Sequence, residues 1–264
     1  MKLKMSDGYL TYDRSGNGLT ILFIHGYPLS RKIWEPQMKG LADITTVLAL
    51  DLPGHGDSDS FTGPYSMDLL ADDCKFFLDS IKINYPIVIC GLSMGGYVTM
   101  AFYRRYPGLV GGMILTSTRP GPDSQESKSN RDKAIQNTYK NGAKFIADSM
   151  IQKMVSPKTI TSNPALVKNI YEIMLSTSVP GIIGDLQGMK ERPDSTSTLS
   201  RVDFPVLIIH GADDQLIPPS EAEGMHTIIK NSQLVVLTDA GHLPNLEQPE
   251  KYNQAVRRYI SALH

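Results

Sequence analysis

Fully apolar runs of strand length recur along this chain and alternate with stretches of helical periodicity. Residues 20–24, 45–50, 86–90, 113–116 and 205–209 are rich in Val, Ile and Leu and hold hardly a polar side chain. A strand wet on one face alternates apolar with polar; a run apolar throughout has to be covered on both faces. Residues 9–12 read as a first strand and 233–237 as a last one. Residues 66–81 place Leu69, Leu70, Cys74, Phe77, Leu78 and Ile81 at helix spacing behind Ser66, a good capping residue. Residues 95–106, 219–229 and 248–263 read as further helices. Strand and helix in alternation, with buried strands, dictate a mostly parallel sheet with helices on both faces, an α/β fold.

The alternation breaks once. From Arg119 to about Ser200 there is no β-branched run, only amphipathic helical pieces at 132–141, 143–154, 164–177 and 182–191. The expected organisation is therefore a core domain of residues 1–118 and 201–264 with a helical insertion at 119–200. A chain of 264 residues is long enough to bury a full core in this way.

Lys and Arg number 26 against 27 Asp and Glu, without a basic run or stripe, so neither nucleic acid nor an anionic membrane surface is an expected partner. The two cysteines, Cys74 and Cys90, are too few for a disulfide framework. The first residues reach charge and glycine at once, without an apolar signal core, and no stretch is long and apolar enough to span a bilayer. The expectation is a soluble, cytoplasmic protein. No histidine and carboxylate cluster has metal-ligand spacing, so neither a metal nor another cofactor is implied.

The chemistry concentrates where the 86–90 strand ends. Gly91, Ser93 and Gly95 form Gly-x-Ser-x-Gly between strand and helix, and Gly96 adds a fourth small residue. In such a turn the serine stands in a strained backbone position with its hydroxyl clear of the sheet. A serine hydroxyl is a weak nucleophile at neutral pH and needs a base within reach. Of six histidines, His25 and His55 sit in glycine turns ahead of the serine, and His226 lies inside a helix. His264 ends the chain and His210 ends a buried strand. His242 remains, on the loop after the last strand, at the carboxyl edge where ligands sit in open α/β sheets. The acid that orients it must share that edge, which points to Asp213 or Asp214 after the 205–209 strand.

The order Ser93, aspartate, His242 along alternating strands and helices resembles the α/β-hydrolase superfamily over nearly the whole chain. His25-Gly26 resembles that family's oxyanion loop, Asp51-Leu52-Pro53-Gly54-His55-Gly56-Asp57-Ser58 its structural turn, and Gly241-His242 its histidine loop. The family's Gly-x-x-Asp pattern, matched by Gly211-Ala212-Asp213-Asp214, selects Asp214. The resemblance implies Ser93 as nucleophile, His242 as general base and then acid, and Asp214 as its orienter. It implies an oxyanion hole from the backbone N–H groups of Tyr27 and Met94. His25 and His55 are implied to be structural. The insertion would form a cap over Ser93, with a lining drawn from Met150, Met154, Met174, Leu175, Ile182, Ile183 and Met189.

Residues 116–120 and 188–195 are similar to those of bacterial esterases and 3-oxoadipate enol-lactonases. The implied activity is hydrolysis of small to medium carboxylic esters through an acyl-enzyme, with a lactone as the alternative substrate. The stretch His25-Gly26-Tyr27-Pro28-Leu29 also resembles cofactor-free haloperoxidases, which would allow perhydrolysis as a side activity. Haloalkane dehalogenation is disfavoured, because it needs an aspartate where Ser93 stands. A ligand-binding protein without turnover is disfavoured because all three positions are filled. The sequence leaves the oligomeric state open. Asp214→Asn is expected to lower turnover by about 10³–10⁴-fold and Asp213→Asn to leave it near wild type; steady-state kinetics giving the reverse ranking would reassign the acid.

Overall fold

Along each central strand, successive side chains enter opposite hydrophobic clusters, which is why the strands are apolar throughout. The computed structural model describes residues 1–61 and 63–263; Thr62 and His264, the latter among the histidines weighed above, lie outside them. The strands are β1 (Lys2–Lys4), β2 (Tyr9–Ser15), β3 (Thr20–Ile24), β4 (Thr46–Leu50), β5 (Ile87–Leu92), β6 (Val110–Thr116), β7 (Val206–Gly211) and β8 (Ser232–Leu237). They form one sheet in the order β1-β2-β4-β3-β5-β6-β7-β8. β1 with β2 and β2 with β4 pair antiparallel; all other neighbours are parallel.

Among the described residues three α-helices precede β6: α1 (Glu35–Gly40), α2 (Met67–Ser80) and α3 (Met94–Arg105). Between β6 and β7 come α4 (Gln125–Asn141), α5 (Ala143–Met154), α6 (Pro157–Ser162), α7 (Pro164–Leu175), α8 (Val179–Lys190) and α9 (Thr196–Leu199). The chain closes with α10 (Pro219–Ile228), α11 (Pro244–Glu247) and α12 (Pro249–Ser261). Leu22, Leu48, Ile89 and Leu115 face Phe77 of α2, Phe102 of α3 and Met225 of α10. Their strand neighbours Ile21, Val47, Val88 and Ile114 face Trp34 and the α12 residues Tyr252, Val256 and Tyr259. One sheet thus carries two apolar layers, each capped by helices.

Several expected boundaries move, each for a local reason. Helix α4 begins at Gln125, seven residues before the expected 132, with the Ser124 hydroxyl accepting from the Ser127 N–H. Its first two turns are wholly polar and carry no apolar period to detect. The short α6 and α9 bring the helices between β6 and β7 to six rather than four; neither is long enough to show a period. β1, with exposed Lys2 and Lys4, is a polar edge strand that the sequence reading did not expect. β8 is the opposite edge and only half-covered, with Val236 exposed, whereas its composition reads as interior. No helix among the described residues is long and apolar enough to cross a membrane.

Tyr259 ties α12 to the sheet: its hydroxyl accepts from the Met113 N–H at 2.8 Å and donates to the Pro205 carbonyl at 2.7 Å. Tyr259→Phe strands the buried Met113 N–H and removes the partner of the half-buried Pro205 carbonyl, at about 1–3 kcal/mol for a buried group, far from the carboxyl edge of the sheet. Urea unfolding is expected to show a loss of about 2 kcal/mol or more; an unchanged midpoint would mean that other partners take over these groups.

Candidate active site

β5 ends at Leu92 and α3 starts at Met94, leaving a single residue to turn the chain. That residue, Ser93, has φ 55° and ψ −114°, a conformation in which a side chain is strained. The surroundings hold it there. Its N–H donates to the Thr116 carbonyl at 2.9 Å, and its carbonyl accepts from Gly96 N–H at 2.9 Å and the Thr118 hydroxyl at 2.8 Å. The glycines are required by approach: a Cβ on Gly91 would stand 2.1 Å from the Gly95 carbonyl oxygen, and one on Gly95 2.2 Å from that of Ile24. Helix α3 therefore starts pressed against β5 and β3, with Ser93 pushed out at the carboxyl edge.

His242, 2 % exposed, follows β8 on the adjacent part of that edge. Its Nδ1 lies 2.8 Å from Asp214 Oδ2, and the other carboxylate oxygen of Asp214 accepts from the Leu216 N–H at 2.8 Å and the Ile217 N–H at 3.0 Å. Asp213 is exposed, so Asp214 alone of the pair reaches the histidine. His210 Nε2 sits 2.9 Å from the Ile217 carbonyl and 3.3 Å from Asp214 Oδ2, a second imidazole on the same carboxylate that sequence reasoning left in the core. Burial favours the protonated acid at Asp214, but the His242 charge, the hydrogen bonds from His210 and His242 and the Ile217 N–H outweigh it. The carboxyl is held well below the usual aspartate range.

The loop after β3 lies beside the serine. The Leu52 N–H donates to His25 Nε2 at 3.0 Å, which leaves Nδ1–H to donate to the Gly26 carbonyl at 3.0 Å. A Cβ on Gly26 would stand 3.1 Å from Ser93 Cβ. The Tyr27 N–H has no backbone acceptor among the described residues, and the Met94 N–H opens α3 ahead of its first internal bond. His55 is fully buried and faces Asp185 of α8, with 3.0 Å between Nε2 and the carboxylate. It therefore joins the turn after β4 to the helical segment and is not among the residues that line the cavity of Ser93.

Ser93 and His242 line one cavity of about 330 Å³, within the range of small-molecule sites. Tyr27 and Tyr97 belong to its wall from the sheet side. From the helical segment come an apolar stretch that includes Phe145, Ile146 and Met150, and a polar one with Ser127, Asn130 and Arg131. Of the seven residues expected to supply the lining, Met150 and Met189 do so. Met154, Met174 and Ile182 are buried in packing, Leu175 is exposed, and Ile183 opens on a separate surface cleft. Sequence reasoning did not single out Arg131 for the lining; a polar helix face carries no apolar period to mark it. No group of three or more His, Cys, Asp or Glu side chains among the described residues could hold a metal ion.

A family model described as the alpha/beta hydrolase fold matches residues 20–249. The AB hydrolase superfamily protein YisY of Bacillus subtilis (strain 168) is 30% identical over 259 residues, covering 94% of this chain and 93% of that one. 3-Oxoadipate enol-lactonase 2 of Acinetobacter baylyi is 27% identical over 236 residues, 89% of this chain and 86% of the relative. Among solved structures, a thermophilic esterase from Thermogutta terrifontis, malate bound, matches with a TM-score of 0.97 at 37% identity, over 100% of this chain and 99% of that one.

The lowered pKa of Asp214 has a stability consequence. A carboxyl whose folded pKa lies below its unfolded value of about 4 contributes stability that is complete above that value and lost as pH falls through the folded one. Melting temperatures of wild type and Asp214→Asn are expected to differ most above about pH 5, with the gap narrowing progressively as pH falls below about 4. A gap independent of pH would show that the ionisation is not coupled to folding.

Proposed function

The chain belongs to the α/β-hydrolase family, and from that premise we propose that it hydrolyses carboxylic esters of small to medium acyl chains through an acyl-enzyme on Ser93. The observation that carries this reading is the shared cavity of Ser93 and His242, with Asp214 hydrogen-bonded to the far side of the imidazole. Asp214 engages Nδ1, so Nε2 is the nitrogen left for the serine proton.

In this mechanism His242 Nε2 takes the Ser93 proton as Oγ bonds to the acyl carbon. The carbonyl π pair moves to oxygen, and the Tyr27 and Met94 N–H groups stabilise the oxyanion, helped by the positive end of α3. Collapse expels the alkoxide, which takes the proton from His242. Water then repeats the sequence on the acyl-enzyme and frees the acid. The helices between β6 and β7 act as a cap, giving the cavity its outer wall. No step calls on a cofactor, and the partner is a small molecule.

A lactone is the same chemistry with the leaving alcohol still tethered, and the likeness to an enol-lactonase favours it as the second substrate class. The first test is hydrolysis of p-nitrophenyl esters from acetate to octanoate by wild type and Ser93→Ala. Turnover is expected in wild type, and a drop of about 10³-fold or more in the variant. Equal rates in the two proteins would remove Ser93 from the chemistry, and turnover of lactones alone would select the second class.

A further inference from the structure

Helix α4 turns one stripe toward the cavity: Ser127, Asn130, Arg131 and Ala134, at positions i, i+3, i+4 and i+7. Arg119, from the loop after β6, joins Arg131 there, and the lining includes no Asp or Glu among the described residues. Behind the wall lies one fully buried carboxylate, Asp123, which pairs with three guanidiniums. Arg192 meets it at 2.6 Å, is itself buried, donates to the Met189 and Gly121 carbonyls and covers the Tyr97 ring at 4.1 Å. Arg192 is thus held wholly inside the protein, away from the cavity.

Three guanidiniums thus share one carboxylate, and Arg119 and Arg131 are the two that open on the cavity. Their side chains are 27% and 19% exposed; Arg131 holds Asp123 through Nε and Nη2, and Arg119 has one hydrogen bond to it, at 3.3 Å. The Arg119 Nε–H is buried without a partner. The other buried carboxylate near Arg131, Asp185, lies 3.0 Å from His55 Nε2 and makes no hydrogen bond to Arg119 or Arg131. Unmatched cations in a half-buried wall are costly unless an anion completes them, and guanidinium forks suit a carboxylate.

We propose that this wall binds a carboxylate at the end of the substrate distant from the scissile bond, so that the preferred substrates are half-esters of short dicarboxylic acids, with Arg131 and Arg119 as the anchors. The inference rests on the ester-cleaving reading of Ser93. The apolar lining residues Phe145, Ile146 and Met150 would hold the methylenes of the acyl chain, and the distal carboxylate would order that chain before attack.

The test compares mono-4-nitrophenyl glutarate with the neutral 4-nitrophenyl 4-carbamoylbutanoate, which differ only in the terminal carboxylate. Wild type is expected to favour the anion in kcat/KM by about tenfold or more, Arg131→Gln to lose most of that ratio, and Arg131→Lys to recover part of it. A wild-type ratio near one, or the same ratio in Arg131→Gln, overturns the proposal. Calorimetry on the Ser93→Ala protein separates binding from chemistry. Monomethyl glutarate is expected to bind about tenfold tighter than dimethyl glutarate, and the added Arg131→Gln to erase the difference. Tighter binding of the anion without cleavage of either ester by wild type would leave the anion site standing and the esterase reading fallen. Equal binding of the two would overturn the anion site.

Discussion

The approach of α3 to β5 and β3 is the constraint on which the rest of the site depends. Two backbones meet there at a separation that excludes even a methyl group at Gly91 and Gly95. Only a sharp turn satisfies that contact, and the turn forces Ser93 into a conformation that its hydrogen bonds to Thr116, Gly96 and Thr118 maintain. Because the neighbouring strands run parallel, the loops carrying Gly26, Asp214 and His242 leave the sheet at the same edge. The loops carrying these residues therefore come to the edge at which Ser93 stands without any segment having to reach across the molecule.

The helices between β6 and β7 attach to that edge through polar contacts between distant parts of the chain. The Glu247 carboxylate accepts from the Gly241 N–H on one oxygen and from the Ser156 N–H and Thr159 hydroxyl on the other, linking the His242 loop to α6. The Thr177 hydroxyl donates to the Pro28 carbonyl at 2.9 Å, and His55 faces Asp185. Such buried groups tolerate few alternative arrangements, since a lost partner leaves an unsatisfied polar atom. They fix the helical segment against the edge of the sheet.

The cavity wall has two chemistries because α4 and α5 present different faces to it. Phe145, Ile146 and Met150 of α5 provide an apolar stretch, while α4 contributes Ser127, Asn130 and Arg131. The packed methionines behave differently from those at the wall. Met154 and Met174 fill the layer that contains α12, where their flexibility serves packing.

The sequence by itself determined the α/β architecture, the turn that carries Ser93, and the loops that hold Asp214 and His242. All of these are local patterns: apolar runs, helical spacing, glycine at close turns. Tertiary structure decided what local patterns do not encode. Asp213 and Asp214 are chemically alike, and only the path of the loop after β7 buries one against His242 and leaves the other in water. The spacing of Met150 and Met174 says that each faces something apolar, without saying whether that is a cavity or a neighbouring helix. The gathering of Arg119, Arg131 and Arg192 around Asp123 joins residues up to 73 positions apart, and charged side chains leave no period along the chain. Their proximity exists only once the helices are stacked over the sheet.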